Sequence, residues 1–203
     1  MGSQKNLNLG LVILCGVAFL LLFMAFGTAQ NLATQAMKDL GFDKLGFYSL
    51  SVLYVMSTIG SFLNAPLVTR LGPKYSMFWG ALCYFFWIIC SLFRATSTYD
   101  NGRGLFIFKS GFIYTIMIFS AGVNGLGASI LWVGQGNYIA QCASEENKGR
   151  FFSLFWFIFM WQQIVGNLLG AFVLGSFSKV VFFIIMSILS FVGSMTFLFL
   201  KTP

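Results

Sequence analysis

Long apolar runs alternate with short polar breaks along this chain, and within the runs the apolar residues are contiguous rather than alternating. Contiguous runs near or above roughly 20 residues are what an α-helix needs to cross the hydrocarbon core of a bilayer, whereas a membrane β-barrel needs short alternating strands. The pattern predicts six spans, at residues 9–35, 47–67, 75–92, 111–139, 151–174 and 180–200. The breaks agree with this division. Lys38, Asp39, Asp43 and Lys44 follow the first run, and Asn64 and Pro66 mark the end of the second. The connection Thr69-Arg70-Leu71-Gly72-Pro73-Lys74 is punctuated by Gly-Pro and is short enough to force neighbouring antiparallel helices. Arg94 closes the third span, 95–104 is the longest polar connection, and 175–179 has room only for a turn. Lys201-Thr202-Pro203 reads as an exit from the membrane. The expectation is an all-α membrane protein with residues 1–203 forming one six-helix unit.

The stretch at 125–150 organises the rest. It is apolar enough to enter a bilayer, yet Asn124, Gln135 and Asn137 lie in or beside it. It breaks at once into the concentrated charge run Glu145-Glu146-Asn147-Lys148-Gly149-Arg150. This predicts the inner half of a transmembrane helix followed by a tight polar turn.

A helix advances about 100° per residue, so positions eleven apart differ by only about 20°. Asn124 and Gln135 therefore share a face, with Ser120, Leu131 and Tyr138. In the fifth span Trp156, Gln163 and Asn167 share a face with Met160 and Gly170. The outer end of the first span is polar, with Gln30, Asn31 and Thr34, and Gln30 and Thr34 share a face with Phe23 and Phe26. Two readings fit these amide stripes. Either they line a common cavity that hydrogen-bonds a polar or amphipathic ligand, or they are interhelical glue, worth about 0.6 kcal/mol each. Trp132, Trp156 and Trp161 are the candidates for an aromatic contribution to a site. Gly166 and Gly170 form a small-xxx-small pair, and Gly122, Gly125, Gly127, Gly134 and Gly136 crowd the fourth span. Such density weakens an isolated helix and makes sense where helices approach closely or bend. Gly134-x-Gly136 lacks the preceding strand and remaining glycine of a nucleotide-binding fingerprint.

Composition sharpens this picture. Of 203 residues, 58% are hydrophobic and only 8% charged, too few to cover a water-facing surface. The net charge of +7 comes from twelve scattered Lys and Arg, with no basic face for nucleic acid; juxtamembrane cations beside anionic headgroups explain it. Assigned to the two sides of the membrane, the basic residues tie six to six, so charge does not orient the chain. No ionisable side chain falls mid-span, which argues against a proton-coupled mechanism. Histidine is absent, and Cys15, Cys83, Cys90 and Cys142 are dispersed, so no metal or cofactor site and no nucleophile-base pair is expected, and no enzyme. The first run is too long for a secretory h-region, and no Asn-x-Ser/Thr sequon occurs.

Four segments resemble one family, the Unc-ninety-three-like (ion channel regulatory protein) family of the major facilitator superfamily. FGTAQNLAT at 26–34 is similar to the family's Gln-Asn-Leu signature late in helix one. APLVTRLGPK at 65–74 resembles a degraded form of the superfamily's loop between helices two and three. GLGASILWVGQGNY at 125–138 carries a Leu-Trp-x-x-Gln-Gly core close to diagnostic of the family, and the Asn that follows resembles its eleventh-domain-containing facilitator branch. The fourth is Gly149-Arg150 with Phe155-Trp156 and Gly166-Asn167. Thr69 stands where many superfamily transporters carry Asp, and Ala65 where they carry Gly. The resemblance covers nearly all of this chain but only the first half of a typical member. It implies twelve helices in two six-helix halves, cytosolic termini and a cavity between the halves. It implies gating-loop roles for Arg70, Gly72, Lys74 and Arg150. It implies a non-catalytic multi-pass regulator or accessory subunit, partnered by membrane lipids and by another membrane protein or a second six-helix half. The alternative it leaves open is half of a facilitator-type transporter for a small polar or amphipathic solute.

Overall fold

A computed structural model describes residues 2–39, 44–97 and 109–202, with only the backbone described at 2–7, 33–39 and 97. The described residues form seven α-helices and no strand. They are α1 (Gly2–Asp39), α2 (Leu45–Leu63), α3 (Ala65–Leu71), α4 (Pro73–Ser97), α5 (Ser110–Cys142), α6 (Lys148–Ser176) and α7 (Lys179–Thr196), with a closing 3-10 turn at Phe197–Phe199. All but the seven-residue α3 are long and apolar enough to cross a membrane, which makes this an all-α membrane fold with six spans. Asp43 and the expected connection beyond Ser97 as far as residue 108 lie outside the described residues.

One connection differs from the sequence expectation. The second span ends at Leu63, and what was expected to be the rest of that span and its following loop is α3. The break falls at Asn64, whose backbone stays helical, while Pro66 occupies the first turn of α3, where a missing N–H costs nothing. Only Gly72 leaves the helical path, with φ 77°, a conformation that favours glycine, and Pro73 starts α4 at once. A tight polar turn forms at 143–147, with the Ser144 N–H donating to Asn147 Oδ1 at 2.8 Å, but Lys148, Gly149 and Arg150 of the expected break already belong to the first turn of α6.

The helices divide into two triplets, α1, α2, α4 and α5, α6, α7. The first helix of each packs on the second and third of the other: α1 on α6 and α7, α5 on α2 and α4. The two third helices, α4 and α7, close against each other. Exchanging the triplets maps these packings onto themselves, the internal repeat expected within one half of a facilitator fold. Glycines set the closest approaches. A Cβ on Gly166 would lie 2.6 Å from Thr28 Oγ1 and 3.0 Å from Met24 O, and one on Gly80 would lie 2.6 Å from Gly127 O. Gly166 thus brings α6 onto α1, and the Gly80–Gly127 contact brings α4 onto α5. Where α1, α5 and α6 converge, rings fill the space: Phe19 meets Phe155 edge-on at 5.1 Å, and Phe23 meets Trp132 at 5.3 Å.

This arrangement leaves α2 and α6 the least covered. Only 28% of the membrane-crossing part of each is buried within the protein, against 44–56% for the other four. They flank one side of the bundle, and the interior of that side is built by α1 and α5.

Candidate functional site

On that side lies a cleft of about 300 Å³ between α2 and α6. The side chains reach it by helical spacing. On α1, Phe23, Phe26 and Gln30 recur at three- and four-residue intervals and form part of its floor. On α2, Tyr54 and Ser57 form one wall; on α6, Phe159, Gln162 and Gln163 form the other. Trp132 of α5 and Tyr84 of α4 complete the apolar floor.

The polar groups of the cleft are only lightly engaged. Gln30 Nε2 donates to the Tyr54 hydroxyl at 3.4 Å, the long end of the range. Gln162 is 6% exposed, and a Cβ on Gly27 would lie 3.1 Å from its Oε1, so the bare glycine makes room for this amide. Nearby hydroxyls on α2 are satisfied by their own helix, Thr58 Oγ1 donating to Tyr54 O at 2.9 Å and Ser61 Oγ to Ser57 O at 2.8 Å. Beside the cleft, Asn31 Nδ2 donates to Asn167 Oδ1 at 3.4 Å, an exposed amide pair bridging α1 and α6. Trp132 stacks on Trp156, which is exposed at the outer edge.

The residues singled out in the sequence therefore fall into separate places. Gln30, Trp132 and Gln163 line the cleft, and Asn31, Trp156 and Asn167 lie on its margin. The side chain of Thr34 lies outside the described residues. Asn124 and Gln135 are fully or nearly buried elsewhere, on the faces of α5 that pack on α2 and α4. Asn124 Nδ2 and Oδ1 and Gln135 Nε2 have no hydrogen-bond partner among the described residues. Asn137 is exposed near the end of α5, and Trp161 is exposed on the outer face of α6. Arg70 and Arg150 are exposed, Gly72 takes the left-handed turn, and Lys74 Nζ sits 5.7 Å over the Tyr75 ring.

The sequence reading missed the cleft residues Gln162, Tyr84, Tyr54 and Ser57 and the buried roles of Asn64 and Arg94. Tyr54 and Ser57 belong to a polar stripe at Ser51, Tyr54, Ser57, Thr58 and Ser61, whose helical spacing was visible in the second span. Asn64, read as a span end, reaches α5 and donates to Ser129 Oγ and to Leu126 O. Arg94, read as closing the third span, is 1% exposed and packed inside the bundle. It continues the buried spacing Tyr84, Trp87, Ser91, and that register was the signal.

In chemical terms the cleft offers amides, hydroxyls and rings. Among its described lining residues there is no Asp, Glu, Lys or Arg, and among the described residues of the chain no three His, Cys, Asp or Glu come together as a metal would need.

Comparison with known proteins gives a consistent picture. The family model described as ion channel regulatory protein UNC-93 matches residues 42–203. The chain is 26% identical over 210 residues to UNC93-like protein MFSD11 of Xenopus laevis, covering 99% of this chain and 42% of that protein. It is 30% identical over 168 residues to UNC93-like protein 3 of Arabidopsis thaliana, covering 78% of this chain and 31% of the relative. It is 31% identical over 168 residues to the putative potassium channel regulatory protein unc-93 of Caenorhabditis elegans, covering 77% and 21%. The chain thus spans less than half the length of these curated relatives.

Proposed function

The chain belongs to the UNC-93 family, and from that premise we propose that it is a non-catalytic regulatory membrane protein that works by docking a second membrane body on its α2/α6 side. The body we assign is a second six-helix unit, corresponding to the portion of the relatives' length that this chain does not span. On this reading residues 1–203 are an N-terminal-half-type domain with cytosolic termini, acting as a regulatory or accessory part of a larger assembly. The relatives' names as regulators of a channel support the regulatory role.

One observation carries the proposal. Gln163 stands at the middle of α6, where a spanning helix meets the centre of the bilayer, and its side chain is exposed. Moving an unbonded amide from water into pure hydrocarbon costs about 4–8 kcal/mol. The Asn31–Asn167 pair and Gln30 extend the same polar strip. By contrast, a second groove of about 530 Å³ between α4 and α7 is lined almost wholly by apolar side chains such as Phe85, Ile89, Ile188 and Phe191, and suits lipid. The two sides of the bundle therefore call for different neighbours. The α2/α6 side calls for protein or enclosed water, and the α4/α7 side for lipid.

A photo-crosslinking amino acid at Leu168 on α6, compared with Ile188 on α7, tests this; both positions are exposed. With the second half of a UNC-93-family protein co-expressed as a separate chain, Leu168 should give an adduct with that half and Ile188 should give lipid adducts. Equal protein adducts from both sides, or lipid adducts from Leu168, would sink the proposal. A second reading, a half-transporter, is favoured by one observation, the cleft itself, whose uncommitted amides suit a small polar solute.

A further inference from the structure

We infer that the α2/α6 cleft binds an uncharged, hydroxyl-rich solute with one apolar face, about the size of a single sugar ring. This rests on the reading above, that the cleft faces a second protein body rather than lipid.

The charge of the ligand follows from the lining. Gln30, Gln162, Gln163, Tyr54 and Ser57 supply both donors and acceptors, and none carries a charge at neutral pH. No described lining residue could neutralise an ion, and His is absent from the whole chain. Removing an uncompensated ion from water costs several kcal/mol or more, so the lining this chain supplies disfavours charged solutes. A hydroxyl differs in being able to give and accept one bond each with a primary amide. Gln162 is the sharpest pointer. It is nearly buried, and a Cβ on Gly27 would lie 3.1 Å from its Oε1, so the α1 glycine leaves space for this amide at the cleft.

The shape follows from the floor. Phe23, Tyr84 and Trp132 line the cleft as rings in mutual contact, and Gln30, Gln162, Gln163 and the hydroxyl of Tyr54 line it beside them. A saturated ring bearing equatorial hydroxyls has an apolar face of C–H groups and a polar rim, which matches a lining that combines clustered rings with amides. The volume, about 300 Å³, sits at the lower end of small-molecule pockets, which excludes extended chains and fused-ring lipids as complete occupants.

The test uses the full chain co-reconstituted in lipid nanodiscs with a tryptophan-free second half of a UNC-93-family protein, with intrinsic tryptophan fluorescence as the signal, since Trp132 lines the cleft and Trp156 stacks on it. The probes are a neutral hexose and myo-inositol, against the matching hexosamine and hexuronate, which add one charge to the same ring. The neutral probes should quench saturably and the charged ones should bind at least about tenfold more weakly, the effect of one unfavourable desolvation. Gln162→Leu and Tyr54→Phe should each weaken the neutral probes by about tenfold, one lost hydrogen bond to the solute. Tyr54→Phe removes only an oxygen, so it reads even if Gln162→Leu fails to fold, and Gly136→Ala, whose Cβ would meet nothing within 4 Å, should change nothing. Equal binding of charged and neutral rings, the lack of any saturable response, or full affinity in Tyr54→Phe would each overturn the inference. The Leu168 crosslink is scored separately. An adduct without solute binding defeats this inference and leaves the docking proposal standing, while solute binding without the adduct does the reverse.

Discussion

The indole of Trp132 on α5 lies 5.8 Å from that of Trp156 on α6, with the two planes 14° apart. This stack spans from the cleft floor to the exposed edge of α6. Phe159 meets both rings edge-on, at 5.5 Å from Trp132 and 5.4 Å from Trp156, so the three act as one unit between two helices. Trp156→Ala removes an aromatic pair worth about 0.5–1.5 kcal/mol beyond its area, and it also opens the cleft rim. A drop in thermal midpoint of a few degrees is expected in detergent, with a shift in the emission of Trp132. An unchanged midpoint and spectrum would show the stack to be incidental.

The approach of α1 and α6 depends on Gly166. Gly166→Ala puts a methyl group 2.6 Å from Thr28 Oγ1 and 3.0 Å from the Met24 carbonyl, and the backbone carbonyl cannot rotate away. Overpacking of this kind costs about 1–3 kcal/mol. Gly136→Ala is the control, because nothing lies within 4 Å of its Cβ position. It should be neutral or stabilising by up to about 1 kcal/mol through helix propensity. The two variants, compared by denaturant titration in micelles, should move in opposite directions. Equal effects would remove the close-packing account.

Two buried asparagines should respond oppositely to leucine. Asn64 bonds Ser129 and Leu126 O across the α2–α3 break, so Asn64→Leu loses those bonds and leaves the hydroxyl of Ser129 with its own helix alone; a cost of about 1–3 kcal/mol is expected. Asn124 is 0% exposed with neither amide atom partnered among the described residues, so a leucine of similar size should cost less than about 1 kcal/mol or stabilise. Unfolding of both variants in mixed micelles gives the comparison. A large loss for Asn124→Leu would show that its amide is bonded within the chain and would overturn this account.

The six spans were readable because lipid imposes one strong rule, about 20 contiguous apolar residues per crossing. The break at Asn64 was not, because the residues from Ala65 to Leu71 are neither a span nor a conventional loop. They continue as helix because Pro66 falls in a first turn and α5 offers Asn64 a partner. The cleft was half readable. Periodicity put Gln30 and Gln163 each on a polar face, but a helical wheel gives no azimuth relative to neighbours. It therefore grouped Asn124 and Gln135 with them, whereas the packing of α5 between α2 and α4 turns those two inward. Arg94 shows the same gap in reverse. A charge beside a polar stretch reads as a loop boundary until the register Tyr84, Trp87, Ser91 is followed one step further.

The docking proposal requires Gln163→Leu to have opposite effects on the chain alone and on the assembly. Alone in lipid, the exposed mid-span amide of Gln163 meets hydrocarbon, so replacing it with leucine should raise stability by about 1 kcal/mol or more. In the assembly that same amide lies against the second six-helix body, and its loss should weaken association by about five- to tenfold, one interfacial hydrogen bond. Ile188→Gln on the α4/α7 side should do neither favourable thing: it puts an amide into lipid, lowers the stability of the chain, and leaves association unchanged. Stability is read by unfolding in nanodiscs, and association by fluorescence transfer between separately labelled halves. If Gln163→Leu destabilises the isolated chain, the amide already has a partner within it, and the polar strip on α6 gives no reason for a second body to sit there.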